Sequence, residues 1–257
     1  MTEHTEHHST EQNGSEQHAS GHAPQAHTAH GAAEGDDRLY YALYTVFARD
    51  PHLGAPAPGD EAAEELEALE AELAADGVTV RGLYDVSAMR DDADVMVWIH
   101  GEAPEALQAA IRRYRRTAAF AGTKIVWSTM GVHRDAEFTR RHAPSFAKGI
   151  PPEQWVTVYP FVRSWDWYYR NPGHRADMMK NHGLKGRDFP QVLPNTIATF
   201  GLNDYEWVLA LEAPELVDLV DMMRHFRNTE ARLYVRKETP FYAGRRIDAA
   251  EAVEVLR

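Results

Sequence analysis

The chain of 257 residues contains no cysteine, which removes disulfides, thiolate metal centres and covalent C-x-x-C-H haem attachment together. Any metal must then be held by histidine or by carboxylates. No run of eighteen apolar residues occurs, so no membrane-spanning helix is expected. The first residues also lack the basic-then-apolar order of a secretory signal, which makes a cytoplasmic location the expectation. Residues 1–37 lack lysine and arginine while holding seven of the 39 acidic side chains. The remainder is only mildly acidic and offers no basic surface for nucleic acid. Its one arginine cluster, Arg112, Arg113, Arg115 and Arg116, fits the exposed end of a helix. A Gly-rich phosphate loop, a G-x-S-x-G elbow and an H-E-x-x-H pair are missing as well, leaving hydrolase and kinase chemistry without support.

What residues 1–37 do contain is His, Ser, Thr, Gln, Glu, Ala and Gly, too little apolar surface to offset the entropy of ordering. A disordered tail is expected. It holds seven of the 14 histidines, His4, His7, His8, His18, His22, His27 and His30, a content that suggests metal sequestration. Their irregular spacing, with no carboxylate pattern to define a closed site, favours a solvated tail instead.

Beyond residue 38 the periodicities are legible. Residues 40–47 read as a strand, 59–75 as a helix with Leu66, Leu69 and Leu73 on one face, 78–89 and 95–100 as strands, 104–117 as a Pro-initiated helix and 124–132 as a strand. The order recurs: 155–163 strand, 172–182 helix stopped by Gly183, 196–202 and 205–212 strands, 214–228 helix, and 233–237 as the last strand. Letters recur with it. Glu102-Ala103-Pro104-Glu105 and Glu212-Ala213-Pro214-Glu215 follow strands containing Trp98 and Trp207, and the helices after them end in Arg112-Arg113-Tyr114-Arg115-Arg116-Thr117 and Arg224-His225-Phe226-Arg227-Asn228-Thr229. An α+β fold of two tandem ferredoxin-like βαββαβ repeats, 38–150 and 151–257, follows from this, packed sheet to sheet as a barrel with helices outside.

Aromatic, Arg and His content is concentrated in the second repeat, so chemistry is expected there. In Tyr159-Pro160-Phe161-Val162-Arg163 the strand alternation puts Tyr159, Phe161 and Arg163 on one face. A phenol and a guanidinium on an apolar face suit a planar ligand bearing carboxylates, although taken alone a sheet tyrosine with an arginine at its rim is more often a packing arrangement. His182 ends a helical segment after Met178 and Met179. It is either a helix cap or a neutral imidazole in a soft apolar wall, the kind of ligand a haem iron takes. His142, in the loop before the strand, could exchange a proton with a small ligand.

The run Trp155-Val156-Thr157-Val158-Tyr159-Pro160-Phe161-Val162-Arg163-Ser164-Trp165-Asp166-Trp167-Tyr168, then Met178-Met179-Lys180-Asn181-His182-Gly183 and Asp204-Tyr205-Glu206-Trp207, resembles the chlorite dismutase-like superfamily. Within it, the match is to coproheme decarboxylases of actinobacterial type, over residues 38–250. The resemblance implies a dimeric α+β barrel in each subunit, a homopentamer and a non-covalent iron porphyrin. It implies His182 as the proximal iron ligand, Tyr159 as a redox-active tyrosine beside a propionate, His142 as distal base, and Arg163 as a propionate contact with Phe161 in the binding face. Trp167 would be a secondary radical site. True chlorite dismutases carry a distal arginine some dozen residues after the proximal histidine, and residues 188–206 contain none.

The implied reaction is the hydrogen peroxide-dependent decarboxylation of two propionates of iron coproporphyrin III (coproheme), which is both substrate and redox cofactor. It yields haem b by way of a three-propionate intermediate, and ferrochelatase is the implied supplier. Competing expectations are a haem-transfer protein without turnover, a chlorite dismutase-type enzyme, and a barrel without haem in which His182 only caps its helix. Glu206 and Glu230 are both available as acceptors for the second ring nitrogen of His182.

Overall fold

The computed structural model describes residues 38–55, 57–134 and 143–257. The predicted disordered tail therefore lies outside the described residues. The first half runs β1 (Tyr41–Arg49), α1 (Glu61–Ala75), β2 (Val78–Asp85), β3 (Val95–Gly101), α2 (Pro104–Tyr114) and β4 (Thr123–Val132). In α1 the leucines at 66, 69 and 73 are buried together with Ala62, the stripe their spacing requires.

The second half runs β5 (Trp155–Arg163), a short α3 (Trp165–Tyr169), α4 (Pro172–Gly186), β6 (Leu193–Ala198), β7 (Trp207–Ala213), α5 (Leu216–Phe226), β8 (Val235–Lys237), β9 (Tyr242–Ile247) and α6 (Ala249–Val255). Three expectations fail here. The strand expected at 196–202 starts earlier, as β6, and ends at Ala198, with residues 200–202 in a turn. Gly183 does not stop α4, which continues to Gly186; Lys185 donates to the Asn228 carbonyl at 2.9 Å and ties the extra turn to the end of α5. Residues 233–237 are not the closing strand of the repeat: Leu233 and Tyr234 belong to a 3-10 turn, and only the short β8 follows, touching the end of β5. The closing strand is β9, and α6 after it had no sequence expectation.

The pairings between these strands are antiparallel, in the order β7-β6-β4-β1-β3-β2-β9-β5, and β5 pairs again with β7. The sheet is thus a closed eight-stranded barrel with β8 appended. Each half contributes four strands in the same ferredoxin-like order, β4-β1-β3-β2 and β9-β5-β7-β6. The halves meet at two seams related by the repeat, where the last strand of one pairs with the second strand of the other: Val132 with Ala198, and Leu83 to Asp85 with Ile247 to Arg245. A glycine sits at each seam. A Cβ on Gly131 would stand 2.7 Å from the Ala198 carbonyl oxygen, and one on Gly244 would stand 2.6 Å from that of Asp85.

The barrel interior packs Tyr44, Tyr84, Trp98, Val156, Ile197, Val208 and Tyr242. Through it, Arg81 of β2 reaches the fully buried Glu212 of β7 with a two-point contact, 2.8 and 3.2 Å. The same guanidinium donates to the carbonyls of Ile150 and Pro151, and Glu212 also accepts from Asn195 Nδ2 and the Glu153 amide. The connection between halves is held from inside the barrel. Outside, α1, α2 and α6 cover the first half with a large apolar core including Leu66, Val97, Leu107 and Tyr114. The outer layer of the second half is thinner, built on Tyr159, Leu211, Leu219 and Met222. The reason is the placement of α4. Whereas α1 packs on β2, the main neighbours of α4 are α5 and the 3-10 turn at Glu230–Tyr234.

Candidate functional site

Strand alternation sends Tyr159, Phe161 and Arg163 to the outer face of the second half, as expected, while Val156 and Val158 point into the barrel. Pro160 is tolerated because the ladder from β5 to β9 ends at Val158 and that to β8 begins at Val162, so a donor is missing where one flank has no partner.

Tyr159 is 5% exposed. Its ring stacks on Phe241, centroids 4.7 Å apart. Burial, then the charge of Glu238, push the phenol well above its usual range, against Arg227 and Arg232, so the hydroxyl keeps its proton. The guanidinium of Arg163 is buried. It donates to the Ala231 carbonyl at 3.1 Å and to Met179 Sδ at 3.5 Å, and lies 4.1 Å from the Trp167 ring centroid. The Arg163 amide donates to Glu206 Oε2 at 2.8 Å, and Tyr168 donates its hydroxyl to the same oxygen at 2.7 Å. Glu206 is thereby committed to β5 and α3, and Glu230 is exposed.

His182 projects from α4 onto Phe226 of α5, the two rings 4.3 Å apart and nearly parallel. Burial, and secondarily the charge of Arg163, lower its pKa to about 4. The imidazole is neutral at physiological pH. Its Nδ1 is buried and, among the described residues, has no hydrogen-bond partner. The methionines predicted as a soft wall divide: Met178 is core with Trp167, Ala231 and Tyr234, while Met179 flanks it and accepts from Arg163. His142 lies outside the described residues.

Of the groups around Tyr159, the sequence offered Arg232 as a further propionate contact and gave no sign of Glu238, Phe241 and Arg227. Because β5 meets Lys237 at Val162 and Tyr242 at Val158, residues 238–241 run alongside Tyr159–Phe161. This brings Glu238 and Phe241 to the tyrosine. Arg227, readable only as the basic end of a helix, pairs with Glu238 at 2.8 Å, and Arg232 does so at 3.0 Å. Arg227 and Phe241 also line a cavity of about 300 Å³ with Thr157, Leu219, Met223 and Ala243. A neutral imidazole whose buried Nδ1 has no partner among the described residues, a protonated phenol, apolar walls and half-exposed arginines are side chains of the kinds that suit an iron tetrapyrrole with carboxylate side chains. The residues present fit that group.

Comparison with known proteins bears on the family and the fold. The family model described as chlorite dismutase matches residues 59–247. The coproheme decarboxylase of Mycolicibacterium smegmatis is 44% identical over 222 residues, 85% of this chain and 94% of that protein. Among solved structures, chlorite dismutase from Candidatus Nitrospira defluvii in complex with imidazole superposes with a TM-score of 0.72 at 16% identity, covering 85% of this chain and 95% of that one. A single-site variant of it gives 0.73 at 16% identity, covering 86% and 97%. With a family match over most of the barrel and a relative this similar along nearly its whole length, the chain belongs to the chlorite dismutase family.

Proposed function

We propose that this protein is a hydrogen peroxide-dependent coproheme decarboxylase, converting two propionates of iron coproporphyrin III to vinyl groups and giving haem b through a three-propionate intermediate. The observation that carries the reading is a neutral His182 stacked on Phe226, whose ring packs against the outer cluster that holds the buried, protonated Tyr159, in a chain 44% identical to a coproheme decarboxylase. For each propionate the balance is one carboxylate, one peroxide and one proton consumed, and one vinyl group, one carbon dioxide and two waters formed.

His182 would hold the iron through the lone pair of its neutral ring, which burial keeps from being protonated. The bound iron porphyrin supplies the oxidising power of peroxide. Tyr159 would give up a hydrogen atom and take one back from the propionate β-carbon; its neighbours keep the proton on the phenol until that moment. His142 would accept the peroxide proton. Arg163, held by the Ala231 carbonyl, would bear on the substrate through its charge and through the packing of Phe161 and Trp167. The same reading carries two repeats, 38–150 and 151–257, with the porphyrin in the second, a homopentamer, a cytoplasmic setting in coproporphyrin-dependent haem synthesis, and transient contact with ferrochelatase.

The test is to load the protein with iron coproporphyrin III, titrate peroxide and follow the porphyrin mass beside Tyr159→Phe. Stepwise loss of two carboxylates in the unaltered protein alone is expected. Binding without any mass change would favour a carrier, and oxygen release from chlorite would favour the dismutase branch of the family.

A further inference from the structure

Beside Tyr159 stand two arginines and one carboxylate. Arg227 closes α5, Arg232 lies in the following 3-10 turn, and Glu238 Oε2 accepts from both, at 2.8 and 3.0 Å, while only 15% exposed. The cluster carries one net positive charge. Residues 238–241 are fixed alongside Tyr159 by the β5 registers on either side and by the stack of Phe241 on its ring. An arginine pair there without Glu238 would repel itself and would drift between rotamers, with five donors each and no fixed acceptor.

We propose that Glu238 is a positioning residue for the reacting carboxylate: it holds Arg227 and Arg232 as a preorganised pair that can take up one further carboxylate and is left paired when that carboxylate is gone. This rests on the reading of Tyr159 as the group beside which a porphyrin propionate reacts. One incoming propionate brings the cluster to neutrality through charge-assisted contacts to guanidinium groups that are 45% and 34% exposed and so within reach of a ligand. When carbon dioxide leaves, an apolar vinyl replaces the propionate, and a bare arginine pair would face it with unmet donors. Glu238 meets them, so the cluster returns to its starting state and a product with fewer carboxylates is not held by stray charge.

Glu238→Gln keeps the shape and removes the charge. The experiment measures equilibrium binding of iron coproporphyrin III and of haem b, four carboxylates against two, by Soret titration of the full-length protein, Glu238→Gln and Glu238→Asp, with peroxide-driven turnover alongside. In Glu238→Gln the preference for the four-carboxylate porphyrin is expected to rise by about tenfold, while kcat falls by more than that as the propionate is misplaced. Glu238→Asp, which restores the charge, should return both most of the way. An unchanged affinity ratio in Glu238→Gln, or an Asp variant no better than Gln, would overturn the proposal while leaving the decarboxylase reading intact. Failure of the unaltered protein to bind either porphyrin would overturn both.

Discussion

The imidazole of His182 lies face to face with the phenyl ring of Phe226, centroids 4.3 Å apart and planes inclined by 17°. A neutral ring sits there at little cost, whereas protonation would leave a desolvated charge facing the field of Arg163. His100 is in a similar state, lowered to about 4 by burial and by Arg81.

Both histidines titrate near 6.5 in the unfolded chain. Between about pH 6.5 and 4 the unfolded state therefore binds more protons than the folded one. Stability is full above that window and falls as the pH drops through it. Each histidine should add a slope of up to about 1.4 kcal/mol per pH unit near its centre. Urea unfolding measured from neutral to about pH 4.5 should show the slope reduced in His182→Phe and again in His100→Phe. Curves parallel to that of the unaltered protein would contradict the buried neutral state.

At the two barrel seams the prediction is steric. Gly131 and Gly244 face carbonyl oxygens that belong to paired backbone, which cannot move without opening the pairing. Gly131→Ala and Gly244→Ala should each cost about 1–3 kcal/mol, the range for forced overpacking. Gly183→Ala is the control. It faces open space inside a helix, so it should be neutral or stabilise by up to about 1 kcal/mol. Thermal melts of the three variants would settle the order.

The seam glycines also explain which parts of the fold were legible. Strands such as Trp155–Arg163 are dense in β-formers, and α1 repeats leucine at helical spacing, so sequence alone places them. β9 reads Tyr-Ala-Gly-Arg-Arg-Ile. Its glycine is there for the close approach of Asp85 and two consecutive arginines break the apolar alternation, so the pattern looks like a loop, whereas the more apolar 233–237 looks like a strand. Gly183 misleads in the opposite direction, because a glycine after a histidine resembles a cap until tertiary contacts at Lys185 extend the helix. For the site, Tyr159, Phe161 and Arg163 share a face as the alternation requires. That Arg163 turns to the Ala231 carbonyl, and that Glu238 comes to Tyr159, depend on registers between strands distant in sequence. A single strand carries no trace of them.

Glu206 offers a narrower test. It accepts from the Arg163 amide and from the Tyr168 hydroxyl, joining β5 to α3 at one oxygen. Glu206→Gln weakens two charge-assisted bonds without emptying the position, so a loss of about 1–2 kcal/mol is expected. Porphyrin affinity should change little, since the residue does not reach His182. A large affinity loss at unchanged stability would instead give Glu206 a part in ligation.

The strongest stability prediction concerns Arg81 and Glu212. Both are desolvated, and burial pushes the Glu212 carboxyl upward against the lowering effect of Arg81 and its other donors. Removing one partner leaves the other charged and unpaired in the barrel: Arg81→Met or Glu212→Leu should each cost about 3–5 kcal/mol. The double variant should recover much of that loss, since the apolar interior around Trp98 and Ile197 can accept two uncharged side chains. Recovery will be incomplete. The carbonyls of Ile150 and Pro151, Asn195 Nδ2 and the Glu153 amide each lose a partner in the double variant, and a hydrogen bond contributes about 0.5–1.5 kcal/mol net. A double-mutant cycle by urea unfolding checks this. Additive losses would mean that the two side chains act separately, and that the connection between the halves is not held by their pairing.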